Sequence, residues 1–310
     1  MTTSTLSSAP VGNRLRTWFQ AIRFFSFTAS VVPILVGSVL AWRASDVNVA
    51  LVLAMLVASV ACQAGANLAN DFYDHRSGVD TFDSLGPSKV IQQGLLSPTE
   101  VRRGMVVAFA LATAVGVGIA MTTDWVVFWL AFASLAIAYG YTAGPKPLGY
   151  IALGEIAVFF AMGPAMVVGS FYVLTGHVSV ASVLTSIPIG FLVAAILHAN
   201  NIRDIEPDRG AGKRTLATIL GRRGATIEFT ILVVGAYLLI VAMILKHPGL
   251  WPVGLTGLSL PLALNLIRAT GGNPDEASMN RVLRQTAGLH LRFGFLLIGG
   301  LLIVTLLERT

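Results

Sequence analysis

Polar and apolar positions in this chain fall in long blocks, not in the short periods of a soluble helix or strand. Apolar runs long enough to cross a bilayer, about 20 residues each, recur at roughly 25–43, 49–69, 104–122, 125–142, 151–175, 181–199, 227–245, 250–268 and 289–307. These predict nine transmembrane helices, and the prolines and glycines inside several runs are compatible with membrane spans. The longest polar connection, Asn70 to Arg103, is too short for a separate soluble domain. The expectation is one all-α integral membrane domain over residues 1–310, with 1–20 as a cytoplasmic N-terminal tail.

Composition agrees. The chain is 55% hydrophobic and 12% charged, where a soluble domain carries about 25% charged residues. The Ser/Thr-rich start, with Arg14 and Arg16 and no small-residue cleavage site, predicts that the first apolar run stays as a span. The one cysteine, Cys62, excludes an intrachain disulfide and a cysteine metal cluster and reads as a small core residue.

Basic residues set the orientation. With nine spans and the N-terminus inside, only Arg43, Lys246 and Arg309 of the 21 Lys and Arg fall outside. The net charge of +6 is then a property of the cytoplasmic face. Topology or anionic lipid accounts for it, with no call on nucleic acid.

Two polar segments close the second and sixth runs, and so share that face: N-L-A-N-D-F-Y-D (67–74) and N-N-I-R-D-I-E-P-D (200–208). Asn67, Asp71 and Asp74 fall at i, i+4 and i+7; Asn200, Asp204 and Asp208 fall at i, i+4 and i+8. Each set lines one face of a helix. A Gly/basic stretch follows each cluster (Gly86, Lys89; Gly210, Gly212, Lys213, Arg214), a weak echo of two four-span repeats with a ninth helix added. Sites of parallel repeats commonly lie at the repeat interface.

A carboxylate near the bilayer centre costs roughly 2.5–3.5 kcal/mol, so two clusters need a purpose. Carboxylate and amide oxygens suit Mg²⁺, which takes one or two carboxylates with substrate phosphates and water. His75 and His198 stand isolated in the sequence, which disfavours zinc. Arg23, Arg76, Lys89, Lys146, Arg203, Lys213 and Arg214 surround the clusters, and carboxylates, Mg²⁺ and a ring of cations suit a diphosphate. In a membrane, a polyprenyl diphosphate has the matching shape. The plainer reading of each feature stays beside this one. A lone Asn-x-x-x-Asp is usually a cap, any one Arg or Lys is a topology determinant, and Asp80, Asp83 and Glu206 are solvated charges.

At these residues the chain resembles the UbiA superfamily of intramembrane prenyltransferases, over roughly residues 15–308. Within it the chain is most similar to the 1,4-dihydroxy-2-naphthoate polyprenyltransferase branch, through 67–81, Y-T-A-G-P-K-P-L-G-Y (141–150), L-G-E-I-A-V-F-F-A-M-G-P (153–164) and 200–217. The first and last stretches are specific to the superfamily; the middle two lean toward the naphthoate branch. The resemblance implies a nine-span fold with two Mg²⁺–diphosphate motifs. Asp71 and Asp74 beside Asn67, and Asp204 and Asp208 beside Asn200, would be the ligands of two ions. Lys89, Lys146 and Arg23 match basic diphosphate-facing positions, with Arg203 and Lys213 adjoining. The 81–96 loop lacks an Arg-Pro pair common in hydroxybenzoate- and haem-directed relatives, which argues against those acceptors and loosens the role of Lys89.

The implied reaction is electrophilic aromatic substitution by a polyprenyl diphosphate in a prokaryotic inner membrane, with the active site facing the cytoplasm. The naphthoate loses its carboxylate to give demethylmenaquinone. Phe72, Tyr73, Tyr139 and Tyr141 are nominees for facing the allylic cation or for plain packing. Glu155 either orients an acceptor hydroxyl or is solvated at the interface. 4-Hydroxybenzoate and homogentisate are alternative acceptors. A CDP-alcohol phosphotransferase lacks its clustered motif here, and a cation-coupled transporter would hold its carboxylates nearer the midplane.

Overall fold

The computed structural model describes residues 11–78, 88–141, 147–272 and 274–309. An N-terminal helix α1 (Val11–Ala21) turns through a short 3₁₀ segment into α2 (Thr28–Ala44), followed by α3 (Val49–Ser77), α4 (Pro98–Thr122) and α5 (Trp125–Gly140). After them come α6 (Gly154–Phe160), α7 (Met166–Thr175), α8 (Val180–Arg203) and the short α9 (Ile205–Gly210), then α10 (Leu216–Lys246), α11 (Leu260–Gly271) and α12 (Glu276–Arg309). Among the described residues, eight helical stretches are long and apolar enough to cross a membrane; α5, at 16 residues, is the shorter ninth.

Several boundaries depart from the apolar runs, for physical reasons. α4, α10 and α12 begin ahead of the runs at 104, 227 and 289, at the side-chain caps Ser97, Thr215 and Asp275, because caps rather than hydropathy begin helices. Ser97 and Glu100 form a reciprocal capping box with Pro98 in the first turn, and Thr215 with Thr218 does the same for α10. The run at 151–175 is two helices, α6 and α7, joined by a π-turn at Ala161–Ala165 around Pro164, whose ring cannot continue the ladder. The run at 250–268 begins as a 3₁₀ stretch, Pro248–Ser259, before α11. Trp18 and Ala21 of α1 pack with Leu68, Val101 and Met105.

Three spans form the inner layer. The windows in Phe24–Ala44, Val180–Arg203 and Ala277–Glu308 are 61%, 61% and 56% buried, against 17% for Val49–Ser77 and for Pro98–Thr122. Their core includes Val32, Val36, Ile189, Leu192, Phe229, Phe293 and Leu297. Close approach depends on glycine at one crossing in particular: a Cβ on Gly163 would lie 2.5 Å from Gly190 Cα. This brings the α6–α7 hinge against α8, and small residues allow such backbone contact in membranes. The polar ends of α3 and α8 come together at one end of the bundle.

Candidate active site

The first cluster occupies the last three turns of α3. Asn67 Nδ2 donates to the Ile22 carbonyl (2.7 Å) and Ser26 Oγ (3.2 Å), pinning the α1–α2 turn onto α3. In that turn Arg23 adopts a left-handed backbone, φ 52°. Its guanidinium reaches Asn70 Oδ1 and Asp71 Oδ1, both at 2.6 Å. Asn70 then donates to Asp74 Oδ2 at 2.8 Å, and the Tyr150 hydroxyl donates to Asp74 Oδ1 at 2.7 Å. Among the described residues the non-glycine positive-φ positions are Arg23, Lys89 and Ala152. All three lie in connections at the motif end of the bundle. Such backbone costs about 1–3 kcal/mol and tends to sit where function fixes geometry.

The second cluster does not continue as one helix. α8 ends at Arg203, Asp204 takes φ −96° and ψ 13°, and α9 restarts at Ile205. Pro207 has no N–H to give the Arg203 carbonyl, so the ladder breaks there. The carboxylates stay in order because Asp204 N donates to Asn200 O (3.1 Å) and Asp208 N to Asp204 O (2.8 Å). Arg203 grips Asp204 with Nε to Oδ1 (2.7 Å) and Nη2 to Oδ2 (2.6 Å), and donates to Asn280 Oδ1 (2.7 Å) and Asn200 Oδ1 (3.1 Å). Lys213 Nζ lies 3.3 Å from Asp208 Oδ1 and 5.3 Å from the centroid of the Tyr150 ring.

Burial pushes the Asp208 carboxyl up to about 6, with Lys213 opposing and Asp204 adding to the rise. Burial alone would lower Lys213, but Asp208, Asp74 and Asp204 outweigh it and hold the ammonium above its ordinary range. Asp208 Oδ2 is buried with no hydrogen-bond partner among the described residues, a carboxylate oxygen left for a ligand.

Both clusters face a cavity of about 420 Å³. Its polar end is formed by Asn67, Asn70, Asp74, Asn200, Asp204 and Asp208 with Arg23, Arg203, Lys213 and Tyr141. Its apolar end runs between α2, α3, α4 and α5 to Ile34, Met55, Ile119 and Val127. Asp71 stands beside this wall through its pair with Arg23. Among the described residues no three His, Cys, Asp or Glu side chains converge as a closed metal cage. The donors facing the cavity are hard oxygens in twos and threes, the set that fits Mg²⁺ shared with substrate phosphates and water.

Several expected residues do not line the cavity: Asp71 stands behind Arg23, Phe72, Tyr73 and Tyr139 fall outside the lining, and so do Lys89 and Glu155. Lys89 is half-buried in a turn outside its wall. Glu155 is buried behind the wall: Oε1 meets His198 Nδ1 at 3.0 Å and accepts from Asn201 Nδ2 at 2.8 Å. His198, isolated in the sequence, is enclosed here; its Nε2–H donates to the Ala225 carbonyl at 2.8 Å and lies 3.6 Å from Glu228. Lys146, Asp80, Asp83 and Gly86 lie outside the described residues. The exposed Glu206 pairs with Arg209, three residues on. Sequence reasoning passed over Asn70, Tyr150, Asn280 and Glu228, whose contacts, except that of Asn70 with Asp74, span 30 or more positions along the chain.

The profile of the UbiA prenyltransferase family matches residues 30–289. The chain belongs to that family. It is 34% identical over 285 residues to the 1,4-dihydroxy-2-naphthoate octaprenyltransferase of Bacillus subtilis, covering 92% of each chain. With the enzyme of that name from Escherichia coli it shares 31% over 281 residues, covering 88% of this chain and 91% of the relative. The UbiA prenyltransferase domain-containing protein 1 of Gallus gallus is 30% identical over 287 residues, covering 91% and 84%. Among solved structures, a UbiA homolog from Archaeoglobus fulgidus bound to GPP and Mg²⁺ superposes with a TM-score of 0.64 at 17% identity, covering 91% of this chain and 99% of that one. The fold is therefore that of the UbiA prenyltransferases, and the chain is an integral membrane prenyltransferase of this family.

Proposed function

We propose that the protein transfers a polyprenyl group from its diphosphate to 1,4-dihydroxy-2-naphthoate, with loss of CO₂ and diphosphate, to give the quinol form of demethylmenaquinone. The observation that carries the transfer chemistry is one cavity with acidic and basic groups at one end and an apolar interior. The acceptor rests on relatives bearing that activity in their names, at 31–34% identity over most of the chain. The active site faces the cytoplasm on the distribution of basic residues.

Asn67, Asp71 and Asp74 on one side, and Asn200, Asp204 and Asp208 on the other, would hold two Mg²⁺ ions with the diphosphate. Bound there, the metal supplies Lewis-acid neutralisation of the leaving group. The chain's own residues do the rest. Arg203 is braced by Asn280 and Asn200 and Arg23 by Asn70, so both guanidiniums are oriented for phosphate oxygens without a search through rotamers. The apolar wall keeps water from the allylic carbon as its C–O bond breaks. Tyr141 lines the cavity near both clusters and presents a ring to that carbon or to the acceptor.

Glu155 acts behind the wall, tying α6 to Asn201 and His198 next to the second cluster. The test is incubation of the purified protein with geranylgeranyl diphosphate, Mg²⁺ and a panel of naphthoate, 4-hydroxybenzoate and homogentisate, with products identified by mass. Prenylated, decarboxylated naphthoquinol is expected; transfer only to another acceptor rejects the naphthoate assignment. Activity is lost in EDTA and returns with Mg²⁺, whereas full turnover in chelator would count against the metal assignment.

A further inference from the structure

Tyr150 lies in the connection between α5 and α6, and its position is set by backbone as well as side chain. Ala152, left-handed at φ 57°, donates its N–H to the Arg214 carbonyl at 2.7 Å. Arg214 N donates to the Tyr150 carbonyl at 3.2 Å. The connection before α6 is thus stitched to the connection before α10, one from each half of the chain. The segment also lies on Tyr141: Gly149 N donates to the Tyr141 carbonyl at 3.1 Å, and a Cβ on Gly149 would sit 3.3 Å from the Tyr141 ring.

The Tyr150 side chain then ties the two clusters together. Its hydroxyl donates to Asp74, and its face carries the Lys213 ammonium that pairs with Asp208. Asp74, Asp208, Lys213 and Tyr141 line the cavity, whereas Tyr150 does not and is partly exposed. It stands outside the lining, against the polar wall of the cavity.

We propose that Tyr150 is a positioning residue that holds this wall shut, and so decides whether the prenyl cation meets the acceptor or water. The inference rests on the transfer reading above. In that reaction the C1–O bond breaks and its electron pair leaves with the diphosphate. The allylic carbon then bonds either to the aromatic carbon or to a water oxygen. The second path releases a proton and yields the prenyl alcohol, a balanced hydrolysis that needs no co-reactant. A wall tied by a hydrogen bond and a cation–π contact from the two halves of the chain suppresses it.

The experiment measures the share of geranylgeraniol among products formed from geranylgeranyl diphosphate and Mg²⁺, with and without dihydroxynaphthoate, for the full-length wild type, Y150F and Y150A in nanodiscs. Y150F keeps the ring over Lys213 and loses only the bond to Asp74, so the alcohol share should rise about threefold. Y150A loses both contacts, and the share should rise at least about tenfold. A merely structural role would slow turnover and leave this partition unchanged. An unchanged partition in folded Y150F overturns the proposal even where Y150A fails to fold. If the wild type releases diphosphate but makes no prenylated naphthoate, the acceptor assignment falls, and the acceptor-free arm still reads Tyr150 through alcohol release. A wild type that cleaves no diphosphate overturns both.

Discussion

Asp208 shares its end of the cavity with Asp74 and Asp204, next to a lysine, with one oxygen unpartnered among the described residues, and burial raises its titration to about 6. The sign of the effect follows. Below about pH 6 a proton occupies the carboxylate and competes with a cation; above it the ligand is free. The Mg²⁺ concentration for half-maximal transfer should therefore rise as pH falls from 7.5 to 5.5, and the rise should disappear in Asp208→Asn, whose side chain does not titrate. Metal titrations at the two pH values check this. Replacing Asp71 or Asp204 by alanine should cost more than the roughly 10–100-fold typical of losing an outer partner of a ligand, while the protein remains in the membrane; transfer assays with immunoblots of the membrane fraction decide it. These aspartates were legible because i, i+4 spacing on an apolar helix is a local signal. Tyr150 was not, because its link to Asp74 crosses 76 positions and leaves no periodic trace.

At the scale of elements, α8 carries the most. It is the best-buried helix bearing a cluster, and its end is fixed from two sides: by Arg203 on Asn280 of α12, and by Glu155 of α6 on Asn201. His198 sits inside the helix between Glu155 and Glu228. Replacing His198 by leucine leaves the buried Glu155 and the half-buried Glu228 facing an apolar side chain, and breaking a buried charged contact in this way costs about 3–5 kcal/mol. Thermal unfolding in detergent should show a clearly lower midpoint for His198→Leu than for Leu197→Ala, one position away on the cavity wall. The helix break at Asp204 was hidden in the i, i+4, i+8 pattern. Pro207 was visible in the sequence, but the hydrogen bonds that preserve the register across the break are not a property of spacing.

Across the whole molecule, the eight long spans and the shorter α5 among the described residues followed from the lengths of the apolar runs, since the bilayer sets a ruler that any sequence must meet. What that ruler could not show is the cavity, because its wall is assembled from small residues scattered over several helices. Ala58, Ala112, Gly116 and Ala131 are among them. Gly116 faces Ala131 across the α4–α5 contact, 3.5 Å from where its Cβ would lie. Gly116→Phe should therefore narrow the apolar end: use of geranylgeranyl diphosphate falls at least about tenfold, by obstruction of a filled interior, while geranyl diphosphate is still used, as competition assays with both would show. The ion pairs at the other end have a consequence in charge balance. Arg23 meets Asp71, Arg203 meets Asp204 and Lys213 meets Asp208, while among the described residues Asp74 is met by the neutral Asn70 and Tyr150. The resting constellation thus carries one negative charge. A fully ionised prenyl diphosphate carries three negative charges, so with the two divalent cations proposed above the arriving group would carry one positive charge. On that proposal their union would be electroneutral, and the most highly charged chemistry would be enclosed in a low-dielectric interior with no net charge left to solvate.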